Sequence, residues 1–139
     1  MFLEYEELQT VADLNLLIKI TNNNNDIFTA ILAESIGLMR SYLQSNYDTE
    51  TVFNATATDR NYTVVKYLKD IVVYEIYMRH TREINEAAAV RYDNAMRWLE
   101  MVNTGKLSMD LPPAIDTNTE DTEGITLSFG GNTKYITNF

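Results

Sequence analysis

The sequence predicts a mainly α protein: a small bundle of four to five helices over residues 1–106, then an extended C-terminal arm over residues 107–139 holding a short β-strand or hairpin. Three observations carry this reading. Apolar residues recur at helical spacing through three long segments. Clusters of Asn, Asp and Thr punctuate those segments. The stretch RWLEMVNTGKLSMDLPP, residues 97–113, brings an amphipathic helix to an abrupt stop.

The first segment, Glu4 to Ile20, is apolar at Leu8, Val11, Leu14, Leu16, Leu17 and Ile18 and reads as one or two short helices. TNNNND, residues 21–26, is a poor helix interior and a good turn, with Asp26 placed to cap the next helix. The second helix is predicted from Ile27 to about Asn46, with Phe28, Ile31, Leu32, Met39, Tyr42 and Leu43 on one face. Ala30, Ala33 and Gly37 leave room for a close neighbouring helix. YDTETVFNATATDR, residues 47–60, reads as a polar loop with one apolar pair, Val52 and Phe53.

Asp59 or Asn61 is the expected cap of the third helix, NYTVVKYLKDIVVYEIYMRH. Val64, Leu68, Ile71, Val72 and Met78 form one face, and Tyr67, Tyr74 and Tyr77 widen it. So much apolar surface predicts the central, most buried helix. Its β-branched run Ile71-Val72-Val73 lowers helix propensity by only a few tenths of a kcal/mol per residue, which burial outweighs. A turn over Thr81 to Asn85 leads to the fourth helix, Glu86 to Asn103. There Ala88, Tyr92, Ala95, Leu99 and Val102 recur as a packing seam. Gly105 suits the left-handed position that closes a helix, and Pro112-Pro113 stiffens the exit.

Residues 114–124 are too polar to build a core of their own and are expected to be disordered in the isolated chain. ITLSF (125–129) alternates like a strand, and a GGN turn precedes KYITNF (134–139).

At 139 residues the chain is sized for one domain that buries roughly two-thirds of its unfolded surface. It lacks an 18-residue apolar run, and MFLEYEE has neither the basic region nor the apolar core of a signal peptide. With no cysteine, it fits a reducing cytoplasm. The net charge of −9 is uneven: residues 1–59 carry nine acids against Lys19 and Arg40, and residues 107–139 carry five against Lys134. Residues 60–106 hold eight bases and six acids. Such a balance disfavours sequence-independent DNA binding, which runs on Lys and Arg. The slightly basic middle could face an acidic neighbour, including a second copy.

Little here points to catalysis. The one histidine, His80, stands at a helix end without Cys or His nearby in sequence. The carboxylate pairs Glu6-Glu7 and Glu120-Asp121 read as solvated. Gly130-Gly131 followed by Asn-Thr-Lys lacks the spacing and the helix of a phosphate loop. No catalytic residue, metal ligand or cofactor is nominated. Trp98 reads as a core or groove anchor, and the tyrosines at 67, 74 and 77 as core with hydroxyls at the rim. The apolar surface exceeds what a four-helix monomer needs, which hints at contact with another subunit.

Taken in order, SYLQSNYDTETVF (41–53), TDRNYTVVKYLKDIVVYEIYMRH (58–80) and RYDNAMRWLEMVNTGKLSMDLP (91–112) resemble the Mu-like prophage family associated with phage head–tail connectors. These proteins are also called adaptors or head-completion proteins, and the resemblance is to the Bacteroidetes-phage version. The RYxxAxxWL helix contributes Arg91, Tyr92, Trp98 and Leu99, and the boundary after it contributes Gly105, Leu111 and Pro112. FGGNTKYITNF is similar to the family's tail. Two departures stand out: Asn46 where the family usually has Arg, and TREINEA, without proline, at the turn between the last two helices.

The resemblance implies a non-enzymatic virion subunit at the capsid vertex or neck, assembled in the host bacterial cytoplasm. It implies a homo-oligomeric ring, expected to be a dodecamer, beneath the portal protein. The ring would extend the channel through which genomic DNA passes without sequence-specific binding, and would offer a platform to a tail or stopper protein. No membrane is involved. In the arm, Ile125, Leu127, Phe129, Lys134, Tyr135, Ile136 and Phe139 are the candidate partner-binding residues, adding a strand or docking aromatics. The alternatives are another phage interaction module or a small helical DNA-binding regulator, although none of the four helices is basic enough for recognition.

Overall fold

The computed structural model describes residues 1–80 and 85–115. In chain order these form a 3-10 helix, Tyr5–Thr10, then α1 (Leu14–Thr21), α2 (Asn25–Leu43), α3 (Thr49–Asn54), a 3-10 turn, Ala57–Asp59, α4 (Tyr62–Met78) and α5 (Glu86–Asn103). The expected mainly α bundle is what the chain forms. Its predicted strand and hairpin, at 125–139, lie outside the described residues.

α2, α4 and α5 pack on one another, and α1 and the first 3-10 helix cover α4. As its composition requires, α4 is the central helix: Val64, Val65, Leu68, Ile71, Val72, Val73 and Ile76 are all buried. Met78, expected on the same face, is exposed at the last turn. Between α4 and α5 two aromatic pairs stack, Tyr67 on Trp98 with ring centroids 4.6 Å apart and Tyr74 on Tyr92 at 4.1 Å. Much of the surplus apolar surface is therefore used inside the chain.

Asparagine and aspartate side chains start every α-helix among the described residues. Asp13, Asn24, Asp48, Asn61 and Asn85 each accept a backbone N–H of their own first turn. Asn24, not Asp26, caps α2, because Asn22 and Asn23 take left-handed conformations (both φ 55°) and turn the chain two residues earlier. Asp26 sits inside the first turn, where its charge suits the helix dipole. α2 also ends sooner than expected, at Leu43. Ala30, Ala33 and Gly37 face outward, and nothing lies within 4 Å of a Cβ built at Gly37, so this small-residue stripe has no neighbouring helix among the described residues.

The predicted polar loop at 47–60 is mostly helical. Asp48 caps α3 through Thr51, and Val52 and Phe53 are buried, Phe53 meeting Phe2 edge-on at 5.1 Å. The body also continues past Lys106. Leu107, Met109 and Leu111 pack against the core, alternating as a half-buried extended segment does.

Candidate docking end of the bundle

One end of the bundle gathers the C-terminal ends of α2 and α5, the start of α4, and α3. Two short motifs tie it together. In Asp59-Arg60-Asn61, Arg60 donates to the carbonyls of Ala57 and Phe2 and to both carboxylate oxygens of Glu7. This binds the N-terminal segment to the turn before α4. The Arg60 guanidinium holds the Glu7 carboxyl below the usual range, and Glu7 raises Arg60 in return. Asn61 caps α4 by accepting the N–H groups of Thr63 and Val64, while its amide donates to the Asp110 carbonyl at 3.4 Å.

In Asn46-Tyr47-Asp48, the Asn46 amide donates to the carbonyls of Val102 and Asn103, satisfying the end of α5. The Tyr47 hydroxyl accepts the Met109 N–H at 2.7 Å. The Asp48 N–H donates to the Pro112 carbonyl, and the Ala114 N–H donates to the Asn46 carbonyl, forming an antiparallel bridge between Tyr47 and Pro113. Residues 107–115 are thus a strap, tied back across the end of the bundle before the chain leaves it. Gly105, at φ +82°, makes the strap's first turn, and nothing stands near its Cβ position. The constraint there is purely conformational.

Strap and α3 enclose an open cleft of about 680 Å³. Its apolar lining is Val52, Ala55, Leu111 and Pro112, and its carboxylates are Glu50, Asp59 and Asp110. Glu50 pairs with Arg40 at 3.2 Å, whereas Asp59 and Asp110 make no ion pair among the described residues. Among the described residues the cleft has one cation, Arg60, already matched by Glu7. Among the described residues the most exposed large apolar side chains are Ile115 (74%), Tyr62 (66%) and Met1 (60%). All three flank this end: Ile115 ends the strap, Tyr62 opens α4, and Met1 lines a second, smaller cleft with Phe53. An open, acid-rimmed trough with apolar lining is suited to an extended peptide carrying apolar and basic side chains.

The family-motif residues divide between body and docking end. Leu99 is fully buried, Trp98 and Tyr92 stack on α4, and Arg91 donates to the Val11 carbonyl, tying α5 to the segment before α1. Gly105 turns the chain into the strap, and Leu111 and Pro112 belong to it. Ile125, Leu127, Phe129, Lys134, Tyr135, Ile136 and Phe139 lie outside the described residues. Sequence reading missed the roles of Asn46, Tyr47 and Asp48, whose partners are more than 50 positions away and leave no local trace.

Elsewhere, burial raises the carboxyls of Asp70 and Glu75 on α4, with Lys66 opposing at Asp70 and Glu34 adding at Glu75. No three His, Cys, Asp or Glu side chains among the described residues are placed to hold a metal ion. No described helix is long and apolar enough to cross a membrane.

Comparison with known proteins adds one match. The family model described as bacteriophage Mu, Gp36 covers residues 2–127, nearly the whole chain. No curated protein and no solved structure matches significantly. That span takes in the N-terminal segment, the five described α-helices and the strap, and on it the chain belongs to the bacteriophage Mu Gp36 family of Mu-like phage proteins.

Proposed function

We propose that the chain is a structural, non-enzymatic virion protein: a head–tail connector (adaptor) subunit. Copies form a ring beneath the portal, extend the DNA channel and present a platform to a tail or stopper protein. The helical body builds the ring. Residues beyond the strap, with Ile125, Leu127, Phe129, Lys134, Tyr135, Ile136 and Phe139, act as an arm that engages neighbours.

The observation that carries this reading is the Mu Gp36 family match over residues 2–127. The geometry supports it in two ways. The strap delivers the remaining chain at one end of the body, beside an acid-rimmed cleft and three exposed apolar side chains. The net charge of −9 suits a channel wall that does not grip DNA during packaging or ejection.

Deleting residues 116–139 tests the assignment. The truncated chain is expected to fold with unchanged stability and to be lost from portal-containing particles. Infectious particles completed by the truncated chain would refute the arm's role. Tight binding of the isolated subunit to duplex DNA at physiological salt would refute the non-gripping channel and favour a regulator.

A further inference from the structure

We infer that the cleft between α3 and the strap is the receptor for residues 134–139, KYITNF, of a second copy of this chain. The inference rests on the proposed arm and names the surface that receives it. A trough of about 680 Å³ takes a few side chains of an extended segment and not a folded partner. Its floor, Val52, Ala55, Leu111 and Pro112, asks for apolar side chains. The carboxylates of Asp59 and Asp110, without ion-pair partners among the described residues, ask for a cation at the rim.

Beyond the strap, in residues 116–139, the chain offers one segment with both properties. Residues 124–139 contain no Asp or Glu, and in KYITNF a single lysine adjoins Tyr135, Ile136 and Phe139. ITLSF, residues 125–129, is apolar but carries no charge for the rim.

Charge also selects a second copy over the chain's own tail. If KYITNF filled its own cleft, residues 116–133 would close a loop anchored on the cleft at both ends. That loop contains Asp116, Glu120, Asp121 and Glu123, held beside Glu50, Asp59 and Asp110 with no base among its residues. When the segment comes from another copy, no loop is closed: the recipient's own residues 116–133 are tied to the cleft at the Ile115 end alone. The donor's four carboxylates stay at least ten residues away along the chain from its Lys134.

Because the chain has no cysteine, introduced thiols report unambiguously. Full-length Asn54→Cys and Ile136→Cys chains, each with one thiol, are mixed and oxidised. A covalent heterodimer is expected at a yield several-fold above that of Glu34→Cys on α2 mixed with Ile136→Cys. Adding Lys134→Asp to the tail partner should cut the yield several-fold, and adding Asp110→Lys to the cleft partner should restore it. Three outcomes overturn the inference. One is a cross-link that forms only within a chain carrying both thiols. Another is capture of a different virion component by the Asn54→Cys cleft in assembled particles. The third is no cross-link above control at any concentration reached.

Failure of the connector reading looks different. Chains that enter particles without cross-linking refute the cleft and leave the connector standing. Chains that cross-link between copies but never enter particles refute the connector and leave the cleft standing.

Discussion

Arg60 holds Glu7 through a bidentate pair, Nη1 to Oε2 and Nη2 to Oε1, both at 3.0 Å. The residues are 53 positions apart, so the pair closes the N-terminal segment onto the start of α4. Exposed ion pairs contribute about 0–1 kcal/mol, whereas breaking a buried one costs about 3–5. With side-chain exposures of 13% for Arg60 and 28% for Glu7, this pair lies between those limits. Arg60→Ala also abandons the carbonyls of Phe2 and Ala57, and is expected to cost about 2–3 kcal/mol by urea denaturation. Arg60→Lys should recover less than half, because an ammonium cannot reproduce the planar fork. A loss below about 0.5 kcal/mol for Arg60→Ala would show the fork to be dispensable.

The same pair sets an acid limit. The Arg60 guanidinium depresses the Glu7 carboxyl from its ordinary 4.5. A depressed carboxyl contributes stability that is present above the unfolded value and lost as pH falls through the folded one. Unfolding midpoints of the wild type should therefore drop as pH falls below 4.5, and Glu7→Gln should flatten that part of the profile. Equal slopes in the two proteins would remove Glu7 as a cause.

Asp70 titrates with the opposite sign. It is buried on α4, its nearest counter-charge is Lys66 at 3.4 Å, and burial raises its carboxyl from 3.8. A raised carboxyl favours folding below the unfolded value, and that advantage is lost as pH rises through the folded value. At neutral pH the ionised group is therefore a cost. Asp70→Asn is expected to stabilise by about 1 kcal/mol at pH 7, with the gain disappearing as pH falls below 3.8. Lys66→Ala should instead destabilise by up to about 1 kcal/mol, discounted because the Lys66 side chain is largely solvent-exposed. A stability loss in Asp70→Asn at pH 7 would mean that the Lys66 pair outweighs desolvation.

Legibility in the sequence depends on the range of each interaction. The three long helices and the cap at Asn61 are dictated by periodicity and local side-chain chemistry, signals carried within a few residues. The short α3 was hidden by its Thr- and Asn-rich composition. Asp48 before Thr-Glu-Thr-Val-Phe, with Glu50 in the first turn, is nonetheless a helix-start pattern that the buried pair Val52-Phe53 completes. The strap also had a signal: Leu107, Met109 and Leu111 alternate with Ser108 and Asp110. Its docking partners, Asn46, Tyr47 and Asn61, were not legible. Pairings across 49 to 68 positions depend on the assembled fold.

Asn61 performs two tasks that can be separated. Its Oδ1 caps α4, accepting from Thr63 at 3.0 Å and Val64 at 3.1 Å, and its Nδ2 donates to the Asp110 carbonyl. Asn61→Ala loses both and should cost about 1 kcal/mol, the usual loss of a cap. Asn61→Asp keeps the acceptor, adds a charge that suits the helix N-terminus, and sets a carboxylate against the Asp110 carbonyl. Its global stability is expected to stay within about 0.5 kcal/mol of wild type. The strap amides of Met109 and Ala114, which donate to Tyr47 and Asn46, should exchange with solvent faster. Hydrogen exchange reads the two effects separately: slowed or unchanged exchange at Met109 and Ala114 in Asn61→Asp would show that Tyr47 and Asn46 hold the strap without help from α4. Faster exchange at unchanged stability would make Asn61 the latch between the capped helix and the segment that leads the chain out of the body.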